Sequence, residues 1–129
     1  MSTMQQVDHI ALGVKDLDER IAFFTEKMGM ELIRMGTHFA SGGRIAMLRD
    51  ARGFKFELIE DGSADTRMMH IAFRAGDVDA GHDLLLESGC QTIRGPHDLK
   101  AARARTAIVN DPTNLQIQVV KYEPDSPDV

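Results

Sequence analysis

Residues 7–14, VDHIALGV, alternate with a period of two. This places Ile10, Leu12 and Val14 on one face of a strand and His9, Ala11 and Gly13 on the other. The period then changes. Leu17, Ile21, Phe24 and Met28 recur at helical spacing and form one apolar stripe. Asp16 stands at the N-cap position, and Glu19 three residues on completes a capping box. Gly29 is placed to end the helix in a left-handed conformation. Three strands are predicted to follow: MELIRM (30–35), RIAML (44–48) and FKFELIE (54–60), the last two joined by a turn at DARG.

The same order recurs. MHIAFRA (69–75) reads as a strand, and Asp77 caps a helix carrying Val78, Leu84 and Leu85 that ends at Gly89. CQTIR (90–94), RTAIVN (105–110) and LQIQVV (115–120) supply three further strands, with a turn at DPTN. A shift of 61 positions superimposes His9 on His70, Asp16 on Asp77, Arg44 on Arg105, Asp50 on Asp111 and Glu57 on Gln118. The chain is therefore predicted to be α+β, built of two tandem βαβββ modules. Module 1 covers about 7–60 and module 2 about 69–121, with a polar linker at 61–68 and a loose tail at 122–129 that carries two prolines.

Face logic connects the repeat to chemistry. A sheet covered by a helix on one side turns one apolar face toward it. Phe56 and Leu58 join Ile10 and Leu12 on that face, and Ile117 and Val119 take the same role in the second copy. His9, Glu57, His70 and Gln118 are thereby predicted to lie on the opposite face, two in each copy at one spacing. Two imidazoles, a carboxylate and an amide oxygen suit Fe(II), Mn(II), Co(II), Ni(II) or Zn(II) better than Ca(II) or Mg(II). Glu57 is the one carboxylate of the set and the candidate base. The residues leave open whether Gln118 coordinates directly.

Composition narrows the partners. The 129-residue chain carries a net charge of −5 and no basic tract, which excludes a nucleic-acid footprint. It has no apolar run of bilayer length and no signal-peptide pattern, so a cytoplasmic location is expected. The single Cys90 excludes an intramolecular disulfide and reads as a small core residue. Arg44 and Arg105 stand at matching strand starts as candidates to hold an anionic substrate group, or as solvated strand-end charges. His38 and His97 read as loop residues, and His82 as a half-buried structural one.

The segments DHIALGVKDLDERIAFF, MHIAFRAGDVDA, KFELIE and DPTNLQIQVV, in this order, resemble the vicinal oxygen chelate superfamily over residues 7–121. That group includes glyoxalase I, methylmalonyl-CoA epimerase, extradiol dioxygenases and bleomycin-resistance proteins. The resemblance implies an incomplete barrel around a central cavity, with His9, Glu57, His70 and Gln118 at the ligand positions of one divalent metal. It also implies a homodimer acting on a small molecule that chelates the metal through vicinal oxygens. The expected chemistry is proton-transfer isomerisation or lyase chemistry of the glyoxalase I kind. The alternatives are an Fe(II) extradiol-type dioxygenase and a non-catalytic protein that sequesters an aromatic drug. Two departures matter. Gln118 stands where many members carry Glu, and RIAML lacks the second acid that the epimerases use.

Overall fold

The computed structural model describes residues 3–129. Both βαβββ modules form, and the fold is α+β. The chain divides into two compact units. One comprises residues 9–69 together with Asp128; the other comprises residues 3–8, then 70–127 and Val129.

In the unit built on residues 9–69, strand β1 (Met4–Val14) enters at His9 and is followed by helix α1 (Leu17–Ala22). The helix widens into a π-helical turn at Phe23–Lys27, closed by the Met28 N–H on the Phe23 carbonyl. Asp16 caps α1 by accepting the Glu19 N–H at 3.1 Å. The expected reciprocal half of the capping box does not form, because the Glu19 carboxylate pairs with Arg20 instead. Gly29 takes φ +74°, the left-handed exit predicted for it. Strands β2 (Glu31–Thr37), β3 (Arg44–Arg49) and β4 (Lys55–Glu60) complete the unit in the order β2-β3-β4-β1. The β1–β4 pair is parallel; the others are antiparallel. Val14, Leu17, Ala46, Leu48 and Leu58 form its fully buried core, with Leu12, Ile21, Phe24 and Phe56 packed around them.

The other unit repeats the plan. Strand β5 (Arg67–Ala75) leads to helix α2 (Val78–Glu87), capped by Asp77 on the Ala80 N–H at 3.0 Å. Strands β6 (Gln91–Leu99), β7 (Ala104–Asn110) and β8 (Gln116–Tyr122) follow, in the order β5-β8-β7-β6. Ala75, Val78, Ala107 and Val119 bury the helix side, with Met4 and Leu85 against them. Asp8 is buried in this unit, where it accepts from Arg74 at 2.8 Å and from the Tyr122 hydroxyl at 2.5 Å. The two β-turns also match. Asp50 accepts the Arg52 and Phe54 N–H groups, and Asp111 accepts those of Thr113 and Leu115. Gly53 and Asn114 supply the positive φ at the same place in each turn.

Three sequence expectations are corrected. Strand β5 begins at Arg67, inside the segment 61–68 read as linker. Strand β6 continues through Gly95 and Pro96 to Leu99, so His97 lies on a strand and not in a loop. Proline is tolerated there because β6 is an edge strand, and two register shifts absorb the irregularity. The segment 122–129 is not loose. Tyr122 belongs to β8, Asp125 pairs with Arg103 at 2.7 Å, and the Ser126 hydroxyl donates to the Ala102 carbonyl. Asp128 is 1% exposed, with both carboxylate oxygens 2.9 Å from Arg34 Nε and its carbonyl accepting from the Lys55 ammonium. Polar composition suggested a solvated tail; hydrogen bonds to groups distant in sequence override it.

Candidate metal centre

Each unit carries two buried donors on the face opposite its helix. In the first, β1 and β4 run parallel with Ala11 opposite Glu57 and His9 opposite Lys55. Glu57 alternates with Phe56 and Leu58, which pack toward α1, so its carboxylate belongs to the other face. Ala11, Ile45 and Ile59 form an apolar floor on that face. His9 and Glu57 offer ligand atoms within 4.8 Å of each other, at 2% and 8% exposure. In the second unit, Ala72 stands opposite Gln118 and His70 opposite Gln116. His70 and Gln118 are 5% and 7% exposed. Ala72, Ala104 and Val120 give this face the same apolar character.

The register shows how far the duplication extends. In the first unit Arg34, Met47, Glu57 and Ala11 lie in one row across four strands. In the second the row is Arg94, Ile108, Gln118 and Ala72. Both arginines reach the donor face through a register shift, between Leu32 and Arg34 in β2 and between Thr92 and Arg94 in β6. Strict alternation would have put each with its helix-side neighbour, which is why the sequence pattern misses them. Lys55 shares the face of Glu57, as alternation in FKFELIE predicts, and is 1% exposed. His97 stands opposite Thr106 on the donor face of the second unit, half-buried, with Nδ1 2.7 Å from the Gly95 carbonyl. That carbonyl can only accept, so Nδ1 carries the proton.

Arg44 and Arg105 are not on the donor faces. Arg44 alternates with Ala46 and Leu48 on the helix side, where its guanidinium holds Asp18 and Glu60. Arg105 alternates with Ala107 and holds Asp79 and Asp98. Hydrogen bonds from these arginines keep the Glu60 and Asp79 carboxyls below the usual carboxylate range. These are partly exposed strand-to-helix ties, away from the donor faces. His38 is a loop residue bonded to Ser41, as expected. His82 is buried on α2, with Nε2 2.7 Å from the Thr92 hydroxyl, a structural role. Burial pushes the Cys90 thiol upward, away from reactivity.

The donor set fits a divalent transition metal. Imidazole nitrogen and carboxylate or amide oxygen are ligand types for Fe, Mn, Co, Ni and Zn. Gln118 Oε1 is buried and has no hydrogen-bond partner among the described residues. Leaving an amide oxygen in that state costs about 1–3 kcal/mol, which a coordinated cation would offset.

Duplicated βαβββ modules, each with a buried histidine and a buried oxygen donor facing away from the helix, define the class of protein. The model of the Glyoxalase/Bleomycin resistance protein/Dioxygenase superfamily matches residues 6–119, and the chain belongs to that superfamily. It is 29% identical over 121 residues to a probable lactoylglutathione lyase of Vibrio cholerae, covering 88% of each chain. It is 28% identical to a 2-epi-5-epi-valiolone epimerase of an Actinomyces species, covering 94% of this chain and 81% of the relative. Methylmalonyl-CoA epimerase from Mycobacterium tuberculosis superimposes with a TM-score of 0.82 at 21% identity, covering 96% of this chain and 92% of that one. The last likeness establishes the shared fold. Among the described residues no helix is long and apolar enough to cross a membrane.

Proposed function

We propose that this chain is a metal-dependent enzyme of the superfamily. It would catalyse proton transfer, as an isomerase or lyase, on a small substrate that chelates the ion through vicinal oxygens. The observation that carries the reading is the duplicated buried donor pair, His9 with Glu57 and His70 with Gln118. These four residues would hold one divalent ion, and four protein ligands leave open positions for a bidentate substrate. When bound, such an ion polarises a carbonyl oxygen and acidifies the adjacent C–H bond.

Glu57 is the proton acceptor in this reading. Its exposure of 8% and the apolar floor of Ala11, Ile45 and Ile59 keep water away from the proton it carries. Gln118 cannot take that role, because an amide is not a base at neutral pH. The third and seventh strands offer no rival acid. Their donor-face residues are Ile45, Met47 and Arg49 in one, and Ala104, Thr106, Ile108 and Asn110 in the other. Names of relatives point the same way, since lyases and an epimerase are among them. Arg94 shares the donor face of the second unit and is a candidate to meet an anionic group of the substrate, whereas Arg34 on the matching row is held by the buried Asp128 carboxylate.

The test is metal analysis of protein purified without chelators, then reloaded with Ni(II), Mn(II), Fe(II) and Zn(II) in turn. One ion per complete set of donors is expected. Protein that stays metal-free with all four is a binding protein, and the enzymatic reading fails. Oxygen consumption with catechols by the Fe(II)-loaded form would move the chemistry to a ring-cleaving dioxygenase.

A further inference from the structure

Two of the differences between the modules' donor faces are chemically linked. Thr106 is the repeat counterpart of Ile45. Each stands on the third strand of its module, Ile45 opposite Ile59 and Thr106 opposite Val120. In the first module the oxygen donor of the row is Glu57; in the second it is Gln118. A carboxylate has two equivalent oxygens and coordinates whichever way it turns. An amide has one oxygen and one NH2, and only the oxygen binds a cation. An amide ligand therefore needs something to orient it, and a carboxylate does not.

Thr106 is 1% exposed and meets this need with two hydrogen bonds. Its hydroxyl donates to the Val119 carbonyl at 2.8 Å, and Gln118 Nε2 donates to the same hydroxyl at 2.8 Å. The logic does not depend on how the amide is drawn. A backbone carbonyl can only accept, so the single hydroxyl proton is spent on Val119. Toward Gln118 the hydroxyl can then only accept, and the amide end that faces it must be the NH2. The oxygen is left as the other end, buried and without a hydrogen-bond partner among the described residues.

We propose that Thr106 is a positioning residue that locks the Gln118 amide with Oε1 turned outward as a metal ligand. It does so through a one-way hydrogen-bond relay from Gln118 to Thr106 to the Val119 carbonyl. The inference rests on the metal-binding reading above and adds a residue that touches no metal. Thr106 is in effect the companion of the Glu-to-Gln exchange between the modules.

The test is Co(II) titration of the apo protein, read by affinity and by the visible absorption spectrum, which reports the donor set. Loss of an outer residue that orients a ligand costs about 10–100-fold in metal affinity. Thr106→Val, close in shape but unable to accept, is expected to lose affinity in that range and to change the spectrum. Thr106→Ser, which keeps the relay, should restore both. In a Gln118→Glu background Thr106→Val should have little effect, since a carboxylate needs no orientation. General damage to the fold would instead lower affinity in both backgrounds. Should Thr106→Val not fold, Thr106→Ala in the two backgrounds makes the same comparison. Unchanged affinity in Thr106→Val, alongside a loss in Gln118→Ala, overturns the proposal and leaves the metal reading standing. Unchanged affinity and spectrum in Gln118→Ala show that Gln118 is no ligand, which overturns the proposal together with that part of the metal reading.

Discussion

Asp128→Ala removes one carboxylate from the segment that sequence composition marks as a solvated tail. In the structure that carboxylate is 1% exposed and has both oxygens 2.9 Å from Arg34 Nε. The Arg34 side chain is 13% exposed, and the Asp128 carbonyl also accepts from the buried Lys55 ammonium. Removing one partner of a fully buried pair costs about 3–5 kcal/mol, because the remaining charge stays desolvated. Arg34 keeps some access to water, so the expected cost is smaller, about 2–3 kcal/mol. With an unfolding entropy of about 2.1 cal/mol/K per residue, this corresponds to a Tm lowered by roughly 7–11 °C. The assay is thermal and urea denaturation followed by circular dichroism, in parallel with Glu31→Ala. Glu31 meets Arg49 only at 3.9 Å, with side chains 72% and 33% exposed. That control should shift stability by less than about 0.5 kcal/mol. Combining Asp128→Ala with Arg34→Met should recover part of the loss, since the desolvated charge is removed along with its carboxylate. A Tm for Asp128→Ala within about 2 °C of the parent, the size of shift allowed for the surface control, would show that the segment does not stabilise the fold.

Four further outcomes are expected, for turnover, metal occupancy and assembly. Glu57→Gln should remove most turnover while retaining part of the metal affinity, measured by steady-state rates beside metal content; equal activity would put the base elsewhere. His9→Ala and His70→Ala should each lower metal occupancy strongly by elemental analysis, and full occupancy in either would remove that histidine from the set. The chain should sediment as a homodimer at micromolar concentration, and a monomeric mass would reject that assembly. Mixing the His9→Ala and His70→Ala proteins after reversible dissociation should restore one intact site if sites are shared across the dimer, and none if each lies within a chain.

The sequence by itself determined the duplicated architecture, because its evidence is periodicity. Alternation in VDHIALGV and FKFELIE, helical spacing after Asp16, and the shift of 61 positions depend only on residue type and order. They placed Leu12, Val14 and Leu58 in the helix-side core and turned His9 and Glu57 the other way. Strand pairing then decided what periodicity cannot carry. Strict alternation puts Arg34 with Leu32 and Arg94 with Thr92; a register shift in each outer strand moves both arginines onto the donor face. The matching positions of Arg44 and Arg105 suggested a shared substrate role, but carboxylates brought close by folding, Asp18 and Glu60 or Asp79 and Asp98, hold them on the helix side. Asp128 looked solvated because its partners, Arg34 and Lys55, lie far away in the sequence. Thr106 was silent for the same reason. Its importance comes from which atoms it bonds, a carbonyl on one side and an amide on the other, and only the packed sheet brings these together.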